Sequence, residues 1–177
     1  MVVAIITILT GVFLLQQRQF DSSTLLRSLA YRTALSIREA QTYGASVRLS
    51  GTTAPAYGIY IQKPVSGAII SYVLFADADG GNDYDISEDL EVFTLGSNYS
   101  ISLFCATQAS NGVALCSNGA LTSLTIIFVR PNPDARFSTA PAGVYTSAYI
   151  QISAQGGTTR SVTITNTGQI SVGAPGS

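Results

Sequence analysis

Hydrophobic residues follow two different rhythms along this chain, and the rhythm changes at Gly44. The first fifteen residues, MVVAIITILTGVFLL, hold no charge and only Thr7, Thr10 and Gly11 as non-apolar members, a composition suited to lipid or to a protein interior rather than to water. From Gln16 to Tyr43 no Pro or Gly interrupts the chain, and Phe20, Leu26, Leu29, Ala30, Thr33, Ile37 and Ala40 recur mostly at three- and four-residue steps. That spacing is one face of an amphipathic helix. Arg18, Arg27, Arg32, Arg38 and Glu39 occupy the remaining surface. Gly44 stands where a left-handed residue would end the helix. The pattern predicts a helix over about residues 1–43, on the order of 65 Å at ~1.5 Å per residue.

Beyond Gly44 short runs of Val, Ile, Tyr, Phe and Thr alternate with Gly, Pro, Asn and Ser clusters, which is strand and turn patterning. The predicted strands are Tyr57–Gln62, Ile69–Ala76, Glu91–Thr94, Tyr99–Cys105, Ser123–Val129, Ser147–Ser153, Arg160–Thr165 and Gln169–Val172. The expected fold class is therefore α+β: a long N-terminal α-helix packed on a mostly antiparallel β-sheet or β-sandwich head. The expected division is residues 1–44 as a membrane and assembly helix and residues 45–177 as a β-rich extracytoplasmic head.

The apolar start is the first candidate functional element, carried by Met1, Val2, Val3, Ile5, Ile6, Ile8, Leu9, Val12, Phe13, Leu14 and Leu15. Fifteen helical residues reach about 22 Å, short of the ~30 Å hydrocarbon core that needs about 20 residues. A cleaved signal peptide is disfavoured, because no Lys or Arg precedes the run and no Ala-x-Ala pattern follows it. The expected surroundings are a bilayer or other copies of the same segment.

Charge separates the two parts. Residues 1–48 carry five Arg against Asp21 and Glu39, whereas residues 49–177 carry four basic and eight acidic groups. Seven of those eight acids fall within residues 77–91. There the run D-A-D-G-G-N-D-Y-D-I-S-E places carboxylates at positions 1, 3, 7, 9 and 12, as Asp77, Asp79, Asp83, Asp85 and Glu88. This approaches the oxygen-donor spacing of a calcium loop. Gly81 replaces the donor at position 5, and Asn82 stands where such a loop wants Gly. Two readings stand, a calcium-stabilised loop and a solvated acidic turn. Cys105 and Cys116 flank a polar stretch with Asn111-Gly112, a hairpin signal, so a disulfide across a hairpin is expected.

Enzyme chemistry finds little support in the residues. There is no His, which removes His-ligated metal hydrolysis and Ser-His nucleophiles. Lys63 is the only Lys, leaving a Ser-Lys pair as the formal remainder. The acids of 77–91 lie in a Gly-rich turn that would not raise a carboxyl pKa by burial as a glycosidase acid requires.

MVVAIITILTGVFLL resembles the middle of the N-terminal helix of the type IV pilin and type II secretion pseudopilin superfamily. SLAYRTALSIREAQTYG, residues 28–44, is similar to the helix end of its H-type minor pseudopilin and FimT-like branch. Together these segments cover about a quarter of the chain. The resemblance implies a structural subunit of a type IV pilus or a type II secretion pseudopilus, in a homo- or hetero-polymer with other pilin subunits. It also implies dependence on the pilus or secretion assembly machinery. Such a subunit is held in the bacterial cytoplasmic membrane as a single-pass protein before assembly, and in a periplasmic or extracellular filament afterwards. The family's cleavage site, and the Phe and Glu beside it, would lie upstream of Met1; leader processing and methylation are implied by the resemblance alone. The alternative on the same scaffold is a membrane-anchored adhesin or DNA-uptake module. FimT-like relatives bind DNA through arginines near the C-terminus, but the matching stretch here, Thr167-Gly168-Gln169-Ile170-Ser171-Val172, has no basic side chain and only Arg160 is near. Nucleic acid is thus not an expected partner.

Overall fold

The structure is a computed structural model that describes residues 2–46 and 55–174; within the helix, the side chains of Ile8 and residues 12–22 are not described. It contains a helix, α1 (Val2–Ala45), followed by ten strands: β1 (Ala56–Gln62), β2 (Ser71–Asp77), β3 (Asp89–Thr94), β4 (Tyr99–Gln108), β5 (Ala114–Cys116), β6 (Ser123–Phe128), β7 (Ala135–Ala140), β8 (Tyr145–Ala154), β9 (Thr159–Thr165) and β10 (Ile170–Gly173). They form two five-stranded sheets in the orders β3-β2-β1-β6-β7 and β10-β9-β8-β4-β5. Every pairing between them is antiparallel.

This corrects the expected fold class. The molecule is mostly β, and a long helix laid on a sheet is not its architecture. Among the described side chains, α1 is seated on the sheets from Leu26 to Gly44, through the buried Leu26, Ala30, Thr33, Ser36, Ile37, Ala40 and Gly44. At the start of α1, Val2–Thr7 and Leu9–Gly11 are exposed. Among the described side chains the buried face of α1 begins at Leu26, and those just before it, at Ser23, Thr24 and Leu25, are half-buried or exposed.

The seated stretch touches β1, β2 and β6 of the first sheet and β8, β9 and β10 of the second. Leu26, Ala30, Ile37 and Ala40 join Ile59, Ile61, Leu124 and Ile126 from one sheet and Ile150, Ile152, Val162 and Ile164 from the other in a single buried cluster. Period-two alternation selects the inward side chains: Ile150 and Ile152 are buried while Tyr149 and Gln151, alternating with them, are half-buried. Ile126 and Ile127 are both buried, as a central strand covered on both faces requires. Gly44 is not a left-handed cap. It lies inside the helix, and a Cβ there would meet the Phe128 carbonyl oxygen at 2.5 Å.

Two strands were not expected. β7 follows Pro131 and Pro133 and precedes Pro141, and it lies at an edge of its sheet, where prolines are tolerated. β5 has three residues and is a strand only because β4 pairs with it.

Candidate functional site

The acidic run leaves β2 at Asp77 and returns to β3, closed at its base by the Ala76 amide donating to the Glu88 carbonyl at 3.0 Å. Asp77 and Glu88 are buried and Asp79 is exposed, and one carboxylate oxygen from each lies within 4.8 Å of the others. Asp83 and Asp85 are exposed and do not join this group. Positions 1, 3 and 12 of the expected calcium loop therefore converge, and positions 7 and 9 do not. Asn82, at the position a calcium loop gives to Gly, takes φ 62°. Asn tolerates this left-handed conformation better than most residues, so the turn forms without Gly.

Backbone amides hold the acids in place. Asp77 accepts from Gly80 at 2.9 Å and from Asn82 at 3.1 Å. Glu88 accepts from Ala78 at 2.7 Å and from Asp85 at 3.2 Å, and Asp79 accepts from Gly81 at 2.9 Å. Burial raises the Asp77 pKa above the usual carboxylate value, and its neighbours Asp79 and Glu88 add to the rise while the amides of Asn82 and Gly80 oppose it. An oxygen-only set of three carboxylates suits a hard cation, which would draw its other ligands from carbonyls and water. The same amide bonds also make the loop a self-satisfied acidic turn. The loop is anchored by Tyr84, whose ring stacks on Tyr60 at 4.2 Å and meets Phe75 edge-on at 5.5 Å. Its hydroxyl donates to Asp89 at 2.7 Å.

Cys105 and Cys116 form the expected disulfide, directly opposite one another on β4 and β5. The hairpin turns at Gly112 with φ 69°, and the Val113 amide donates to the Asn111 side chain at 2.9 Å. A disulfide of this kind belongs to an oxidising compartment, periplasmic or extracellular.

The apolar start is placed differently from the expectation of a membrane span. Among the described residues no helix is long and apolar enough to cross a membrane, so a single-pass anchor at residues 1–15 is not supported. Val2, Val3, Ile5, Ile6 and Leu9 are 56–75% exposed. Met1 and the side chains of Ile8, Val12, Phe13, Leu14 and Leu15 lie outside the described residues. The Thr7 hydroxyl donates back to the Val3 and Ala4 carbonyls, and that of Thr10 to Ile6. The two polar side chains of the segment are thus turned onto their own backbone.

Sequence reasoning missed a basic seam. Arg27, Ser23 and Thr24 of α1 line one surface hollow with Arg160 of β9, and no acidic residue among the described ones lines it. No local signal reveals it, because the two arginines are far apart in sequence. Lys63 shares a hollow with Ser100, Ser102 and Ser117. Ser117 accepts from the Phe104 amide at 3.1 Å and Ser102 donates to the Gln151 carbonyl at 3.2 Å, so both hydroxyls are engaged by the backbone.

Compared with protein-family models, curated proteins and solved structures, the chain matches none of them.

Proposed function

We propose that this chain is a structural filament subunit of the pilin or minor pseudopilin kind, whose β head is displayed outside the cytoplasm and whose apolar start packs against other subunits. The observation that carries the reading is the surface of Val2–Gly11. Its large apolar side chains are mostly exposed, and its threonine hydroxyls bond inward. Such a surface has no stable place in water and needs an apolar partner. Residence at the cytoplasmic membrane before assembly and a periplasmic or extracellular filament afterwards complete the reading, and the disulfide agrees with both compartments.

The test is the full chain carrying Ile5→Lys and Ile6→Lys. Electron microscopy and sedimentation should show loss of filaments, while circular dichroism shows the β head unchanged. Filaments of normal length and abundance from this variant would refute the reading.

A further inference from the structure

We propose that the Arg27 and Arg160 seam of one subunit receives the exposed carboxylates of the 77–88 loop of a second copy, so that subunits stack head to tail. The proposal rests on the filament reading and names the contact that orients it.

Along α1, the Arg32 guanidinium lies over Phe93 at 5.5 Å, Ser36 and Tyr72 share a hydrogen bond of 3.0 Å, and Tyr43 meets Tyr57 edge-on at 5.5 Å. Tyr57 pairs with Ala76, and Asp77 opens the acidic loop immediately after it. The loop therefore leaves the first sheet beside the C-terminal end of α1. Arg27 lies beyond Arg32 in the opposite direction, and Arg160 joins it there from β9. The sixteen residues from Arg27 to Tyr43 span about 24 Å of helix. The basic hollow and the acidic loop consequently occupy opposite ends of the head.

The hollow and the loop differ in sign, and Arg130 and Arg136 lie at the loop's end of the head, beside Phe128. Among the described residues, the hollow is lined by two guanidinium groups and two hydroxyl residues. At the other end Asp79, Asp83 and Asp85 are exposed, and Asp83 and Asp85 stand outside the converging group formed by Asp77, Asp79 and Glu88. Planar guanidinium groups suit carboxylates through paired hydrogen bonds. Two complementary patches at opposite ends of one molecule make a heterologous contact, and repeating it yields an open filament rather than a closed dimer. Exposed ion pairs contribute little affinity. Their part here is orientation and rate of encounter, while Val2–Gly11 supplies the apolar adhesion.

The experiment uses the full chain in chelator at low ionic strength and follows the critical concentration for assembly. One variant carries Arg27→Asp with Arg160→Asp, and the other carries Asp83→Arg with Asp85→Arg. Each alone should raise the critical concentration by about tenfold, because like charges then face each other. An equimolar mixture should assemble close to the wild-type value, since each loop then meets a hollow of opposite sign. If either variant melts below the wild type, Arg27→Gln with Arg160→Gln or Asp83→Asn with Asp85→Asn replaces it, and a neutral pair should abolish the salt dependence of assembly. Normal assembly by the variants, or no recovery in the mixture, overturns the proposal. Recovery failing while inorganic phosphate binds at Arg27 and Arg160 would assign the hollow to a small anion. Loss of assembly in the Ile5→Lys, Ile6→Lys chain alone would leave the filament reading intact and remove only this contact; no self-association by the wild-type chain removes both.

Discussion

Gly44 illustrates how a residue can hold its place for a reason its sequence neighbourhood does not announce. Following a helical pattern and preceding a polar stretch, it has the position of a C-cap, yet it is helical and its hydrogen faces Phe128. Alanine would gain about 1 kcal/mol of helix propensity. Its Cβ would also lie 2.5 Å from the Phe128 carbonyl oxygen and 2.8 Å from the Phe128 Cβ, and the carbonyl belongs to a paired strand that cannot retreat freely. Overpacking of this kind costs about 1–3 kcal/mol, so Gly44→Ala should lower stability in urea denaturation, and a rise would mean the helix shifts easily away from β6. Tyr84 gives a second residue-scale expectation. Burial foremost, then its bond to Asp89, raises its pKa from 10.0 to about 12. Because the folded value exceeds the unfolded one, the favourable contribution is complete below pH ~10 and is lost as pH climbs through about 12. Burial raises Tyr60 and Tyr72 as well, so absorbance titration should show several late tyrosines, one fewer in Tyr84→Phe. For Gly44, residue type and spacing suggested a left-handed cap, but a distant neighbour, Phe128, decided its place.

At the scale of elements, periodicity was legible wherever burial is one-sided and the run is long. The β8 alternation of Ile150 and Ile152 with half-buried neighbours and the α1 stripe from Leu26 to Ala40 both obey it. It was silent for β5 and β7, whose pairing comes from the disulfide-linked hairpin and from a sheet edge rather than from their own composition. The apolar start was read as lying in a bilayer or among copies and the rest of the helix as packed on the head, and among the described side chains the buried face begins at Leu26. The acidic loop was legible as a carboxylate run, but not which members meet: Asp77 and Glu88 are brought together by the β2–β3 closure. This yields a discriminating expectation. If calcium is held, about 1 mM added to chelated protein should stabilise the fold by roughly 0.4–1.4 kcal/mol for a dissociation constant of about 10⁻⁴–10⁻³ M. Asp79→Asn with Glu88→Gln should abolish that gain, while Asp83→Asn should leave it, as measured by the shift in melting temperature. No shift in the wild type would leave the loop as an acidic turn held by its own amides.

At the scale of the whole molecule, the helix is the element that both sheets share. Ile37 is fully buried in a cluster that includes Ile59 and Ile126 of the first sheet and Ile150 and Val162 of the second. The basic seam belongs to the same geometry, since Arg27 and Arg160 meet only because α1 lies across β9; no reading of either local stretch could pair them. A shared core predicts shared unfolding. Ile37→Ala removes three carbons from a site with no room to collapse from one side alone, a change that costs about 2–5 kcal/mol. If the two sheets are one cooperative unit, the loss should appear as a single transition. Amide exchange in β1 and in β8 should then accelerate by the same factor, since both report global opening. Acceleration confined to one sheet would instead describe two units that merely touch, with the helix belonging to only one of them. In that case the ends of the head would not be held at a fixed separation, and a head-to-tail contact between the basic seam and the acidic loop would lose the rigid spacer it requires.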